Sequence, residues 1–189
     1  MNSKIDNLIF FPELRMMADV GLIGFPNAGK STLLRTISRA RPKVAAYPFT
    51  TMKPHIGMVP YQDGFQLAVA DIPGLIKDAH KDKGLGISFL RHIERCKCLL
   101  YVIDMSDKSP SEQLTCLQFE LDQYSDGLSK RPSGIIANKL DLEEAKTKVG
   151  DFEQWLSKNH PESSLITISA KHHLNIGTLI TFVRKLAGN

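Results

Sequence analysis

The chain has 189 residues, 42% of them apolar and 23% charged. This mix suits one domain with its own core, a soluble globular protein rather than a disordered chain. No apolar run approaches the ~20 residues that cross a bilayer, and LIFF near the N-terminus is flanked by Asp6 and Glu13, so neither a secretory leader nor a transit peptide is read and membrane contact is peripheral at most. The formal net charge of +4 is uneven: residues 1–100 carry 14 Lys+Arg against 8 Asp+Glu, and residues 101–189 carry 10 against 12, which fits a phosphate-bearing ligand or an RNA-rich partner at the N-terminal half and equally fits solvated surface charge.

Short apolar runs alternate with longer amphipathic ones. Strands are predicted at Asp19–Phe25, Ile56–Tyr61, Phe65–Ala70, Cys98–Asp104, Gly134–Asn138 and Leu165–Ser169, with Asp63-Gly64 marking a hairpin between the second and third. Helices fill the gaps. Residues Lys30–Ser38 bring Leu33, Leu34 and Ile37 onto one face. Ser109-Pro110-Ser111-Glu112 reads as an N-cap, a first-turn proline and a capping-box glutamate, opening a helix with Leu114, Leu117, Leu121 and Tyr124 at helical spacing. A last helix carries Ile176, Leu179, Ile180, Val183, Leu186 and Ala187. The alternation predicts an α/β fold with a mostly parallel six-stranded sheet covered by helices on both faces, and ligands beyond the carboxyl ends of its strands. Cys96, Cys98 and Cys116 have no metal-site spacing and read as reduced thiols.

Four motifs fall at four strand ends. The first, GFPNAGKS, comprises Gly24, Phe25, Pro26, Asn27, Ala28, Gly29, Lys30 and Ser31, followed by Thr32. It matches G-x-x-x-x-G-K-[ST] between a strand and a helix. Small residues let backbone N–H groups converge on phosphate oxygens, the helix aims its positive end there, Lys30 reaches the outer phosphates, and the Ser31 hydroxyl suits Mg²⁺. The second, DIPG, offers the Asp71 carboxylate to the metal and the Gly74 N–H to the γ-phosphate.

The third motif, NKLD, supplies Asp141 to accept from the N1–H and exocyclic amine of guanine. Adenine lacks that donor pair and would leave the carboxylate unpaired. Asn138 is expected to hold the loop and base edge while the Lys139 stem packs on the ring face. The fourth, Ser169-Ala170-Lys171, suits a backbone contact to the guanine carbonyl.

In this order, with a threonine-bearing loop between the first two, the motifs resemble the P-loop GTPases. YPFTTMKPHIG (Tyr47–Gly57) and GLGISFLRHIERC (Gly84–Cys96) narrow the resemblance to the Obg family, from about Leu14 to the end. The chain is most similar to the mitochondrial Obg-type GTPases that assist large ribosomal subunit assembly. The resemblance implies a short extension over residues 1–18 and a G domain over 19–189, without the glycine-rich N-terminal domain that accompanies it in this family, so the sequence reads as part of a longer protein.

It further implies a monomeric Mg²⁺-dependent GTPase converting GTP to GDP, with the large ribosomal subunit (rRNA and proteins) as partner, no DNA, and a mitochondrial matrix location, the cytoplasm being the alternative. Thr51 is then the switch threonine that completes the Mg²⁺ shell with Ser31 and Asp71, with Thr50 the other candidate and Phe49 beside them.

Where Ras-like enzymes carry a water-positioning Gln, this chain has Leu75. Slow hydrolysis is therefore expected unless other groups help. Asn27 matches the asparagine that binds K⁺ in cation-dependent relatives and equally suits a purely loop-shaping role. A group from the partner, or His80, are the other sources considered. Arg35, Arg39, Arg41, Lys43, Lys77, Lys81, Lys83, Arg91 and Arg95 are the expected RNA phosphate contacts. Two further readings compete. A nucleotide-sensing switch would bind a protein effector with little turnover. A P-loop kinase or ATPase would bind ATP tightly, which the Asn138/Asp141 pair opposes.

Overall fold

The computed structural model describes residues 17–44, 54–72, 93–107 and 109–188. The elements in chain order are β1 (Ala18–Ile23), α1 (Lys30–Ile37), β2 (Lys43–Val44), β3 (His55–Pro60), β4 (Gln66–Asp71), β5 (Cys96–Asp104), α2 (Pro110–Tyr124), β6 (Ser133–Asn138), α3 (Glu143–Asn159), β7 (Ser164–Thr167) and α4 (Ile176–Leu186). They form one sheet of order β2-β3-β4-β1-β5-β6-β7. β4, β1, β5, β6 and β7 run parallel, while β3 and β2 are antiparallel to their neighbours.

The sheet has seven strands, where six were expected. The addition is β2, two exposed residues paired to β3 through Lys43↔Ile56 and Val44↔His55. A pair of residues has no periodicity to read; its extended form comes from the free edge of β3.

β1 lies at the centre, and β5 beside it is a continuous apolar strand buried on both faces. Leu99, Tyr101 and Ile103 point into a core with Leu114, Leu117 and Leu121 of α2 and Phe152 and Leu156 of α3. Cys98, Leu100 and Val102 point the other way, into a core with Leu33, Leu34 and Ile37 of α1 and Leu179 and Val183 of α4. Each such fully buried aliphatic side chain stabilises the fold by about 1.5–3 kcal/mol relative to exposure.

Local chemistry sets the element ends. Ser109 caps α2 by accepting from the Glu112 N–H (3.3 Å), with Pro110 in the first turn. The β3–β4 turn closes through Tyr61 N–H to Phe65 O (2.9 Å) and Gly64 N–H to Tyr61 O (3.1 Å). Arg184 of α4 pairs with Asp63 of that turn (2.5 Å) and lies 4.9 Å over the Tyr61 ring. At the amino end of the central strands, Asp19 accepts from the Ala68 N–H (2.9 Å) and pairs with Lys97 (2.6 Å), tying β1, β4 and β5 together. The opposite, carboxyl end is thereby left to the loops.

Candidate nucleotide site

The loop from β1 to α1 is held by its own lysine. Lys30 Nζ donates to the carbonyls of Gly24 (2.8 Å) and Phe25 (3.0 Å), and the side chain is buried. Desolvation lowers the Lys30 pKa, and the negative charge of Asp71 partly offsets that. A buried cation whose bonded partners are neutral carbonyls is a strong attractor for an anion.

α1 adds to the field. Its N-cap is Gly29, with no side-chain cap and no acidic residue in the first turn. The first amides of the helix therefore point outward for a ligand's oxygens.

Two loop glycines are required by geometry. A Cβ at Gly24 would lie 2.5 Å from the Val102 carbonyl oxygen on β5. At Gly29, with φ +99°, it would lie 2.3 Å from the amide nitrogen of Asn138.

That second approach identifies the joint of the site. Asn138, at the end of β6, is 1% exposed. Its Nδ2 donates to the Ala28 carbonyl (2.8 Å) and its Oδ1 accepts from the Ala170 N–H (3.0 Å). Thr36 of α1 donates to the carbonyl of the same Ala170 (2.9 Å). Both ends of the Asn138 amide are thus engaged between the loops that follow β1 and β7. The part of the expectation that gave Asn138 to the loop describes these bonds.

Asp141 and Ser169, 28 positions apart, are brought into contact by the fold, a pairing the motifs did not indicate. The Ser169 hydroxyl donates to Asp141 Oδ1 (2.6 Å) and accepts from the His172 N–H (3.2 Å). The Ser169 bond, opposed by desolvation and helped by the charges of His172 and Lys171, lowers the Asp141 pKa. The carboxylate is thus ionised at neutral pH, as an acceptor for two donors must be. A groove of about 290 Å³ runs along these residues, lined by Asn27, Gly29, Thr32, Lys139, Asp141 and Lys171 among others.

Beside the phosphate loop, Ser31 Oγ donates to Asp71 Oδ2 (2.5 Å). Asp71 is 4% exposed, and its Oδ1 is buried without a hydrogen-bond partner among the described residues. An orphaned carboxylate oxygen beside a hydroxyl fits a hard cation that takes oxygen ligands. Among the described residues no cluster of three or more His, Cys, Asp or Glu forms a closed metal cage. Phe25, Pro26 and Ala28 complete the loop, Pro26 and Asn27 exposed and Ala28 buried. Phe49, Thr50, Thr51, Gly74, Leu75 and His80 lie outside the described residues, as do Lys77, Lys81, Lys83 and Arg91.

Sequence reasoning missed Asp104, Ser106 and Gln113. Asp104 closes β5 and pairs with Lys139 (2.5 Å). An acidic residue at a strand's carboxyl end, one position before a Met-Ser pair, was the available signal.

Residues 19–139 match the profile of a family described as 50S ribosome-binding GTPase. The human mitochondrial ribosome-associated GTPase 2 is 49% identical over 174 residues, covering 92% of this chain and 42% of that protein. GTPase Obg of Akkermansia muciniphila is 46% identical over 191 residues, covering 100% and 53% respectively. The chain therefore spans about half the length of these curated relatives. Among solved structures, an Aquifex aeolicus Era variant bound to GDP and aluminium fluoride superposes with TM-score 0.68 at 23% identity, over 89% of this chain and 56% of that one. The T. maritima FeoB cytosolic domain in its GMPPNP form gives 0.69 at 20% identity, over 92% and 65%. These two likenesses concern the fold.

The Asn138 joint is testable. Asn138→Ala strands a buried carbonyl and a buried N–H, and is expected to cost about 2–4 kcal/mol of stability. Urea unfolding measures this; a loss within 0.5 kcal/mol, roughly that of an unimportant surface change, contradicts it.

Proposed function

The chain belongs to the family of 50S ribosome-binding GTPases, and from that premise we propose that it is a Mg²⁺-dependent switch hydrolysing GTP to GDP and phosphate. Residues 19–189 are read as its G domain. One observation carries the reading: a single buried amide, Asn138, ties the phosphate loop to the loop behind Asp141, so that one bound molecule would meet both.

In this reading, the amides from Gly24 to Thr32 and the Lys30 ammonium hold the phosphates, and Asp141 accepts from the guanine edge. Backbone from Ser169 to Lys171 borders the base, and the Lys139 stem covers its face. Ser31 and Asp71 would hold Mg²⁺, with Thr51 as the further ligand that the GTP form recruits and Thr50 as its alternative; Phe49 lies beside them in sequence. Gly74 is assigned the γ-phosphate contact on its motif alone. Held by Ser31 and Asp71, Mg²⁺ would supply positive charge to offset the charge that builds on the phosphates.

Leu75 offers no polar atom to a water, so intrinsic turnover is slow. Asn27 is the residue we assign to a K⁺ ion that compensates. Its backbone is left-handed (φ 64°) and its side chain is exposed beside the groove that Gly29, Lys139 and Asp141 line, which supports this assignment.

The partner we propose is the large ribosomal subunit during its maturation, in the mitochondrial matrix, with the chain acting as a monomer. Arg35, Arg39, Arg41 and Lys43 support it: all four are exposed, and they run from α1 to the open edge strand β2. Such a row suits RNA phosphates. The mitochondrial names of several relatives support the compartment.

Three outcomes test the proposal. Asp141→Asn lowers GTP affinity by two or more powers of ten and creates binding of xanthosine triphosphate, because an amide donates to the added carbonyl; fluorescence titration with both nucleotides decides it, and unaltered GTP binding removes Asp141 from the base site. Exchange of Na⁺ for K⁺ at constant ionic strength raises phosphate release; a flat response removes Asn27 from catalysis. The protein co-sediments with purified large subunits in the presence of a non-hydrolysable GTP analogue and is released with GDP; equal sedimentation in both states argues against a nucleotide switch on this partner.

A further inference from the structure

Lys139 sits in the left-handed backbone region (φ 71°), where a non-glycine residue is held only if its surroundings insist. The surroundings here are built around one carboxylate. Asp104 Oδ2 receives the Lys139 ammonium (2.5 Å), and Asp104 Oδ1 receives the Ser106 N–H (2.9 Å) and hydroxyl (2.6 Å).

The backbone of Asp104 is clamped as well. Gln113 of α2 is 6% exposed, accepts from the Asp104 N–H (3.0 Å) and donates to the Asp104 carbonyl (2.9 Å). The next residue, Met105, donates its N–H to the Asn138 carbonyl (3.2 Å). Burial opposes the Asp104 charge, but the Lys139 and Ser106 bonds outweigh it and hold the carboxyl below the usual carboxylate range. The result is a chain of contacts from α2 through the end of β5 to a lysine that lines the groove.

We propose that Asp104 is a positioning residue for base binding: by anchoring the Lys139 ammonium through Ser106- and Gln113-supported bonds, it lays the lysine stem across the purine face. This rests on the base-recognition reading above and deepens it. Without the anchor, Lys139 has several rotatable bonds and its strained backbone loses a reason to persist, so each binding event must order it anew. Asp141 still reads the guanine edge. Asp104 therefore governs how tightly the base is held, and Asp141 governs which base.

The test is a double-mutant cycle read by GDP and inosine diphosphate affinity on the whole chain. Asp104→Asn keeps an oxygen for Ser106 but removes the charge that holds Lys139. It is expected to weaken GDP binding about tenfold, the scale of one charge-assisted hydrogen bond. The ratio of GDP to inosine diphosphate affinity stays as in wild type, because the exocyclic amine is read elsewhere. In a Lys139→Met background, Asp104→Asn costs nothing further, whereas a merely structural carboxylate would cost the same in both backgrounds. Ser106→Ala, which leaves the ion pair in place, gives a smaller loss in the same direction and decides the matter if Asp104→Asn does not fold. Unchanged GDP affinity in Asp104→Asn, or additive losses with Lys139→Met, overturns the proposal while wild-type guanine preference stands. A wild-type chain that does not prefer guanine over adenine nucleotides overturns the base-site reading and this inference with it.

Discussion

One side-chain amide does more than any other group to make this site a unit. The loops after β1 and β7 lie 142 positions apart in the chain, measured from Ala28 to Ala170, and Asn138 bonds to both. Because its two ends have opposite polarity, it reaches a carbonyl on one side and an N–H on the other without leaving either buried group unpaired. The demand propagates: room for this amide forbids a Cβ at position 29. It also fixes Ala170 from its N–H, while Thr36 fixes it from its carbonyl. Glycine in the phosphate loop is thus required as much by the base loop as by any ligand.

The sheet gives that joint a rigid base. Parallel strands buried on both faces keep their carboxyl ends in register, as the ladder from Ala18↔Cys96 to Ile23↔Tyr101 and from Leu99↔Ser133 to Asp104↔Asn138 makes plain. Asp71, Asp104 and Asn138 close neighbouring or near-neighbouring strands. The same edge therefore carries the Asp71 carboxylate, the Asp104–Lys139 pair and the Asn138 amide, with Ser169 just beyond β7. Charge is divided with care along it. The Lys30 cation is bonded to neutral carbonyls, the Asp71 anion keeps one unpaired oxygen among the described residues, and the helix end is uncapped. Each is a cost that a ligand of opposite charge would offset, as the function proposed above requires.

Much was legible beforehand. Hydrophobic period and turn residues located six of the seven strands, the α1 stripe, the Ser109 cap and the Asp63-Gly64 turn, because each is a local preference that the tertiary structure did not override. Gly24–Ser31, Asp71, Asn138, Asp141 and Ser169 were singled out as motifs because the chemistry proposed for them demands particular residue types at short spacing, and the fold sets them at the carboxyl end of one sheet. β2 was not found, since two residues have no period and its form is borrowed from β3.

What the order of residues determined by itself was the inventory: which strands are apolar on both faces, and which short runs could hold phosphate, metal and guanine. Tertiary structure alone decided the partnerships. That Asn138 bridges two loops, that a Cβ at Gly29 would collide with it, that Ser169 bonds Asp141, and that Asp104 bonds both Gln113 and Lys139 are contacts between groups 9 to 110 positions apart. No local pattern encodes such contacts, because they arise only when strand register brings separate loops to one edge and buried polar groups must find partners there.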